Sequence, residues 1–450
     1  MDLWKLSPST GKPTELVEIA LKHLGEDLVP STPSGSFSQR ARLAYASMKA
    51  LSNLKIVSGT ESRATIDALF ENRVIESFEG VFKWTEYIFK TRVKGLSRTD
   101  LRWAEAGYMT LRFWFALVSS VKITDLLLKH PSAVEIATRL WIDGDEYVKV
   151  IGDAPVIGMG TRVLYAMATR FSTLEQFDAF EKATGKNNAI FAKYLVTRFR
   201  NMVKNAGTEM FAWDVIARFL TILAHLRPNR SLFKAFLIAG MAPLAAIALV
   251  KSDENYRAGH GTYEYESTMH SACLYLRECF KERDAHKWMT QAASMGFYEG
   301  LYGAIVVLSR EEGVLGYATP EQILDITPGY LVYPPVIEAI GHSMAKFRAG
   351  PYREPLKIKA LQDKWVLLRN LARDRQDVLD RFREGDAEEK QNKTCGNPKV
   401  SVFDTTDLCG SHQLQCPQKG KDYSATIRRC GGCLGTFYCS KVCFVALLLL

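Results

Sequence analysis

Cysteine is nearly missing from the first 394 residues of this 450-residue chain, where only Cys273 and Cys279 occur. So sparse a supply excludes a disulfide framework for that part of the molecule. Strand-like alternation of apolar and polar residues is scarce there too, which excludes a sheet-based body. A long uninterrupted apolar run is also lacking. The nearest approach, Leu232 to Val250, carries Lys234 inside it and Gly240 and Pro243 at its middle. It reads as two packed helices with a turn at Ala239-Gly240-Met241-Ala242, not as a membrane span. The amino terminus, Met-Asp-Leu-Trp-Lys-Leu-Ser-Pro, has acid and Trp where an export signal has a basic patch and an apolar stretch. The expected location is intracellular, cytoplasmic or nuclear, with no membrane partner. The closing residues Phe444 to Leu450 are too few to cross a bilayer.

What is present is apolar residue at helical spacing. Hydrophobic residues make up 47% of the chain, ample for a folded core. From about residue 13 to 384 they recur at intervals of three and four, which predicts a mainly α body. Turn signals at Lys129-His130-Pro131-Ser132, Gly185 to Asn188, Arg227 to Arg230 and Ala318-Thr319-Pro320 divide it into short helices. One helix starts at Pro131 and turns Val134, Ile136, Ala137 and Leu140 toward a core. Leu361, Trp365, Leu368, Ala372, Leu379 and Phe382 share one face of a long helix whose other face carries Lys364, Arg369, Asp374 and Asp377. It ends near Gly385, where a polar linker begins. The stretch Leu237 to Leu249 resembles an armadillo repeat, with Pro near the start of its second helix, but no strict period of about 40 residues follows it. An irregular armadillo-like helical repeat and a helical bundle both fit. The expected organisation is an α-helical body over residues 1–384, a polar linker over 385–394 and a small cysteine-bearing segment over 395–450.

Seven of the nine cysteines fall in that last segment: Cys395, Cys409, Cys416, Cys430, Cys433, Cys439 and Cys443. In a reducing compartment such clustering points to metal. Cys430-Gly-Gly-Cys433 is a C-x2-C knuckle, in which glycines supply the tight turn that lets two thiolates reach one tetrahedral zinc. Cys439-Ser-Lys-Val-Cys443 is a C-x3-C pair at one-turn spacing. Cys273 and Cys279 read instead as buried small apolar side chains.

The segment Arg429-Cys-Gly-Gly-Cys-Leu-Gly-Thr-Phe-Tyr-Cys-Ser-Lys-Val-Cys443 closely resembles the middle of the MYND-type zinc finger, including its Tyr-Cys-Ser-x-x-Cys signature. The resemblance implies two interleaved Zn2+ ions. It assigns Cys439 and Cys443 to the first ion, and Cys430 and Cys433 to the second. Two departures stand out. The upstream family pair is matched only when Val400 to Gln415 is left out, which joins Cys395 and Cys416 at C-x4-C spacing. That block begins with a residue whose codons carry the GT of a splice donor and ends with one that CAG can encode, as a retained intron would. The second departure is at the end, where Phe444 to Leu450 stands in place of the closing helix with His-x3-Cys. The first ion would thus have four thiolates, Cys395, Cys416, Cys439 and Cys443, and the second only Cys430 and Cys433. Cys409 and His412 are candidate substitutes. In the family the finger binds proteins through short proline-rich peptides, so the implied function is a zinc-binding interaction or scaffold protein, not an enzyme. Oligomeric state is not indicated.

Rival readings fare worse. A SET-MYND lysine methyltransferase places its finger near the front of a β-rich domain with an Asn-His-Ser motif, and no Asn-His-Ser occurs here. Gly158-Met-Gly160 lacks the third glycine of a dinucleotide site, and Gly11-Lys12 lacks the rest of a phosphate loop. His260 and His270 with Glu264 and Glu266 match no helical metal motif, and Tyr256 to Tyr265 reads as a polar loop. His225 and His342 read as core or boundary residues. The net charge of +9 would suit nucleic acid only if arranged as a basic stripe with displayed aromatics. Trp84, Tyr87 and Phe89 follow helical spacing and read as core, so nucleic acid is disfavoured.

Overall fold

Local capping chemistry sets where the helices begin. Asp100 accepts the Arg102 N–H at 2.8 Å, Asn187 the Ile190 N–H at 3.1 Å and Asn229 the Leu232 N–H at 3.1 Å, while Thr173 and Gln176 form a reciprocal capping box. The computed structural model describes residues 13–30, 38–57, 63–151, 158–185, 187–260, 262–309, 318–349, 356–385, 428–429 and 437–438. These are mainly helical, as the periodicity predicts.

The chain divides into two compact units, Met1–Met241 with Thr262–Ser271, and Ala242–Gly261 with Ala272–Leu450. The first contains α1 (Pro13–Lys22), α2 (Gln39–Val57), α3 (Arg63–Glu76), α4 (Phe78–Ile88), α5 (Leu101–Leu117), α6 (Val121–Leu127) and α7 (Pro131–Ile151). It continues with α8 (Met159–Ala168), α9 (Leu174–Thr184), α10 (Asn188–Asn205), α11 (Met210–His225) and α12 (Arg230–Ile238). A π-helical turn, Phe89–Lys94, follows α4. The second unit contains α13 (Met241–Asn255), α15 (Ala285–Ser294), α16 (Phe297–Leu308), α17 (Ala318–Ile326), α18 (Pro334–Ala349) and α19 (Lys359–Gly385). Helix α14 (Tyr263–Cys279) gives its residues up to Ser271 to the first unit and the rest to the second. Beyond α19, two short strands, β1 (Arg428–Arg429) and β2 (Phe437–Tyr438), pair with each other.

In the first unit α7 packs against α5, α8 and α9, α2 against α5, and α8 against α11. In the second, α18 packs against α15, α16 and α19. The principal helix contacts all join helices no more than three apart in the chain. Val134, Ile136, Ala137 and Leu140 of α7 are buried, as are Trp84, Tyr87 and Phe89. Leu361, Trp365, Leu368, Ala372 and Leu379 are buried along α19, while Lys364 on its outer side bridges Glu321 and Asp325, each at 2.8 Å.

The apolar run from Leu232 is interrupted at Ala239-Gly240, between α12 and α13. Gly240 adopts φ +91°, the left-handed region open to glycine. Among the described residues no single helix is long and apolar enough to cross a membrane, and the bent pair Arg230–Ile238 with Met241–His260 reaches that length only as two limbs. Their apolar side chains Leu232, Phe233, Phe236, Leu237, Ala245 and Leu249 are buried within the protein. One expectation needs correcting: Tyr256–His260 is a π-helical turn and α14 starts at Tyr263, so most of the stretch read as a polar loop is helical. Gly259, inside that turn, departs from helical geometry at φ +92° and kinks it. His342 is exposed, not at a core boundary, while half-buried His225 holds its ring Nδ1 2.9 Å from the Thr221 carbonyl.

Candidate functional site

The six candidate zinc ligands, Cys395, Cys416, Cys430, Cys433, Cys439 and Cys443, lie outside the described residues, as do Cys409, His412, the block 400–415 and residues 386–394 of the linker. What is described is the strand pair around the knuckle. β1 and β2 run antiparallel with Arg428 opposite Tyr438 and Arg429 opposite Phe437. In sequence, Cys430 directly follows β1, Cys433 falls between the strands, and Cys439 directly follows β2.

Among the described residues no group of three or more His, Cys, Asp or Glu side chains could hold a metal ion. Cys273 and Cys279 are fully buried in α14, and burial pushes both thiols up, which makes them poor nucleophiles. Gly158, of the rejected dinucleotide motif, caps the start of α8 at φ +82°. Gly160 lets α8 close on α7, since a Cβ there would lie 2.7 Å from the Leu140 carbonyl oxygen. Gly11-Lys12 lies outside the described residues.

A second feature, absent from the sequence reading, is a cavity of about 530 Å³ in the first unit. Its inner wall is apolar and aromatic: Trp103 from α5, Ile142 from α7 and Phe191 from α10. Val150, Ile190 and Tyr194 stand exposed at its rim. The 95–100 connection, after the π-helical turn, sends Arg98 to Asp143 on α7, with Nη2 to Oδ1 at 2.7 Å. Asp143 is buried, and that burial pushes its carboxyl above the ordinary range, an effect Arg98 and Arg139 only partly offset. Arg139 also lines the cavity and has no ion-pair or hydrogen-bond partner among the described residues. Behind the wall, Tyr147 packs on Trp103 with ring centroids 4.6 Å apart. Its buried hydroxyl has no hydrogen-bond partner among the described residues.

No sequence signal pointed to this cavity. It arises where a loop, the carboxyl half of α7 and the amino end of α10 meet, and side chains 96 positions apart, Arg98 and Tyr194, line one space. Compared with known proteins, the chain matches no family model and no curated protein.

Proposed function

We propose that the chain is a zinc-binding protein-interaction scaffold, in which a MYND-type finger follows an armadillo-like helical body and the role is binding, not catalysis. The observation that carries this reading is the pairing of Arg429 with Phe437, which brackets Cys430-Gly-Gly-Cys433 in sequence as a zinc knuckle between strands requires. Support for a repeat-like body comes from the packing order, because helices that contact only near neighbours in the chain are the mark of stacked helical units. By resemblance, Cys395, Cys416, Cys439 and Cys443 hold one Zn2+, with Cys430 and Cys433 half of a second site. Proline-rich peptides are the class of partner the resemblance implies, in an intracellular setting.

Metal analysis of the purified full chain tests the reading. About one zinc per chain, lost on Cys439→Ser or Cys443→Ser with helical content unchanged, is the expected result, because a structural site with a missing thiolate binds poorly. Zinc-free protein from cells grown with ample zinc would refute it. A zinc content untouched by either substitution would move the site elsewhere.

A further inference from the structure

We infer that the cavity lined by α7, α10 and the 95–100 connection binds a small organic acid, one carboxylate carried on a compact aromatic or aliphatic body. The site is independent of the cysteine segment. Its volume, about 530 Å³, lies within the range of pockets that enclose small molecules. Trp103, Ile142 and Phe191 offer an apolar wall, and exposed Ile190 and Tyr194 extend it to the mouth. Such a surface is matched by a ligand body that displaces water from it.

The charge arrangement selects the head group. Arg98, itself exposed, pairs with the buried Asp143, and Arg139 lies close enough to favour that carboxylate without pairing with it, so the ion pair of Asp143 is already made and Arg139 is left over. Arg139 is half-buried, and an incoming carboxylate gives it the bidentate partner that it lacks among the described residues. Glu146 also lines the cavity, but it is exposed, where water screens it. The amino end of the 18-residue α10 adds partial positive charge at the same mouth, through Asn187 and Ile190. With Asp143 already paired to Arg98, a cationic ligand would meet Arg139 and a helix amino terminus, with only the exposed Glu146 to answer it. A neutral one would leave Arg139 as it is.

Calorimetric titration of the full chain with 4-phenylbutyrate, and in parallel with its neutral amide, tests the assignment. Expected is saturable binding of the acid with Kd at or below about 1 mM, and binding of the amide weaker by about tenfold or more, the worth of one charge-assisted contact. Arg139→Gln should erase the preference for the acid. Ile190→Glu, at a position 68% exposed and so harmless to folding, removes one apolar contact for both ligands and adds a repelling charge for the acid alone, so it should weaken the acid several-fold more than the amide. No saturation by the acid at 10-fold above about 1 mM would overturn the proposal. So would equal binding of acid and amide, or an undiminished preference in a folded Arg139→Gln. If Arg139→Gln fails to fold, Ile190→Glu decides alone, and an acid-to-amide ratio unchanged there would also overturn it.

Discussion

Two regions of the molecule, one in each helical unit, are filled by opposite means. The first is built on large flat side chains: Trp84, Trp103, Trp114, Trp141 and Trp213 are all buried, and Trp141 alone touches Phe180, Phe191 and Phe219 with centroids 5.4–6.3 Å apart. The second brings α13 and α16 together on small residues. Ala245, Ala246 and Ala248 are buried on α13, and on α16 Gly300 and Gly303 leave so little room that added Cβ atoms would lie 2.8 Å from Leu249 and 2.1 Å from the Asp253 carboxylate. Rings give much buried area per residue but tile space poorly, and they carry polar atoms that need partners. The first unit shows both costs: the indole N–H groups of Trp114 and Trp141 and the Tyr147 hydroxyl have no hydrogen-bond partner among the described residues, and the cavity opens beside Trp103. Close-packed small residues leave no such space around Gly303.

Substitutions can break this contrast, beginning with the most costly. Trp141→Ala should destabilise the first unit by about 3–5 kcal/mol, because a fully buried ring with three aromatic neighbours leaves a void that they cannot collapse into. Thermal unfolding checks this, and a loss below about 1 kcal/mol would show that the aromatic cluster is slack. Gly303→Ala comes next, at about 2–3 kcal/mol, since the carboxylate it strikes is buried and held by Arg257 at 2.6 Å. Gly107→Ala makes a similar approach, 2.3 Å from the Tyr147 ring, but that hydroxyl is anchored to nothing among the described residues. The ring can give way, so the expected loss is smaller, about 1–2 kcal/mol. Equal losses for the two glycines would remove the distinction between the two regions. Thr173→Ala, which deletes one arm of the α9 capping box, should cost about 1 kcal/mol.

The smallest effect is expected at Asp143, and it depends on pH. Burial raises its carboxyl in the folded state above the unfolded value, so the folded state binds the proton more tightly. Its favourable contribution is therefore complete below about pH 4 and is lost as pH rises through the raised folded value. Denaturant titrations from pH 3 to 7 should show the parent losing stability relative to Asp143→Asn over that interval. Parallel curves would contradict the burial argument.

Much of this fold was legible because helix ends are local events. Pro131, the Gly185 to Asn188 turn, Arg230 and Gly240 announce their boundaries within a few residues, and the stripe from Leu361 to Leu379 declares which side of α19 is buried. The π-helical turns were not legible, since nothing in Tyr-Arg-Ala-Gly-His distinguishes a widened turn from a loop except its neighbours. Nor was the cavity, because a misfit between rings belongs to no single segment. The candidate zinc ligands were legible only as spacing, and of their surroundings the fold contributes the β1–β2 register.

Helix α14 has a further consequence for how the protein is made. Its Thr268 hydroxyl donates to the Trp213 carbonyl at 2.9 Å, Tyr265 donates to the Thr208 carbonyl at 3.2 Å, and the Thr221 and Ser271 hydroxyls meet at 2.9 Å. These residues complete the first unit, yet they are synthesised after α13, which belongs mainly to the second. A nascent chain that has emerged only to Met241 therefore lacks the residues that cover Trp213. The first unit must wait about 30 residues, a few seconds of translation, before it can close. For the same reason no single cut yields both units intact. A protease or a genetic truncation between them strands part of one core on the wrong fragment.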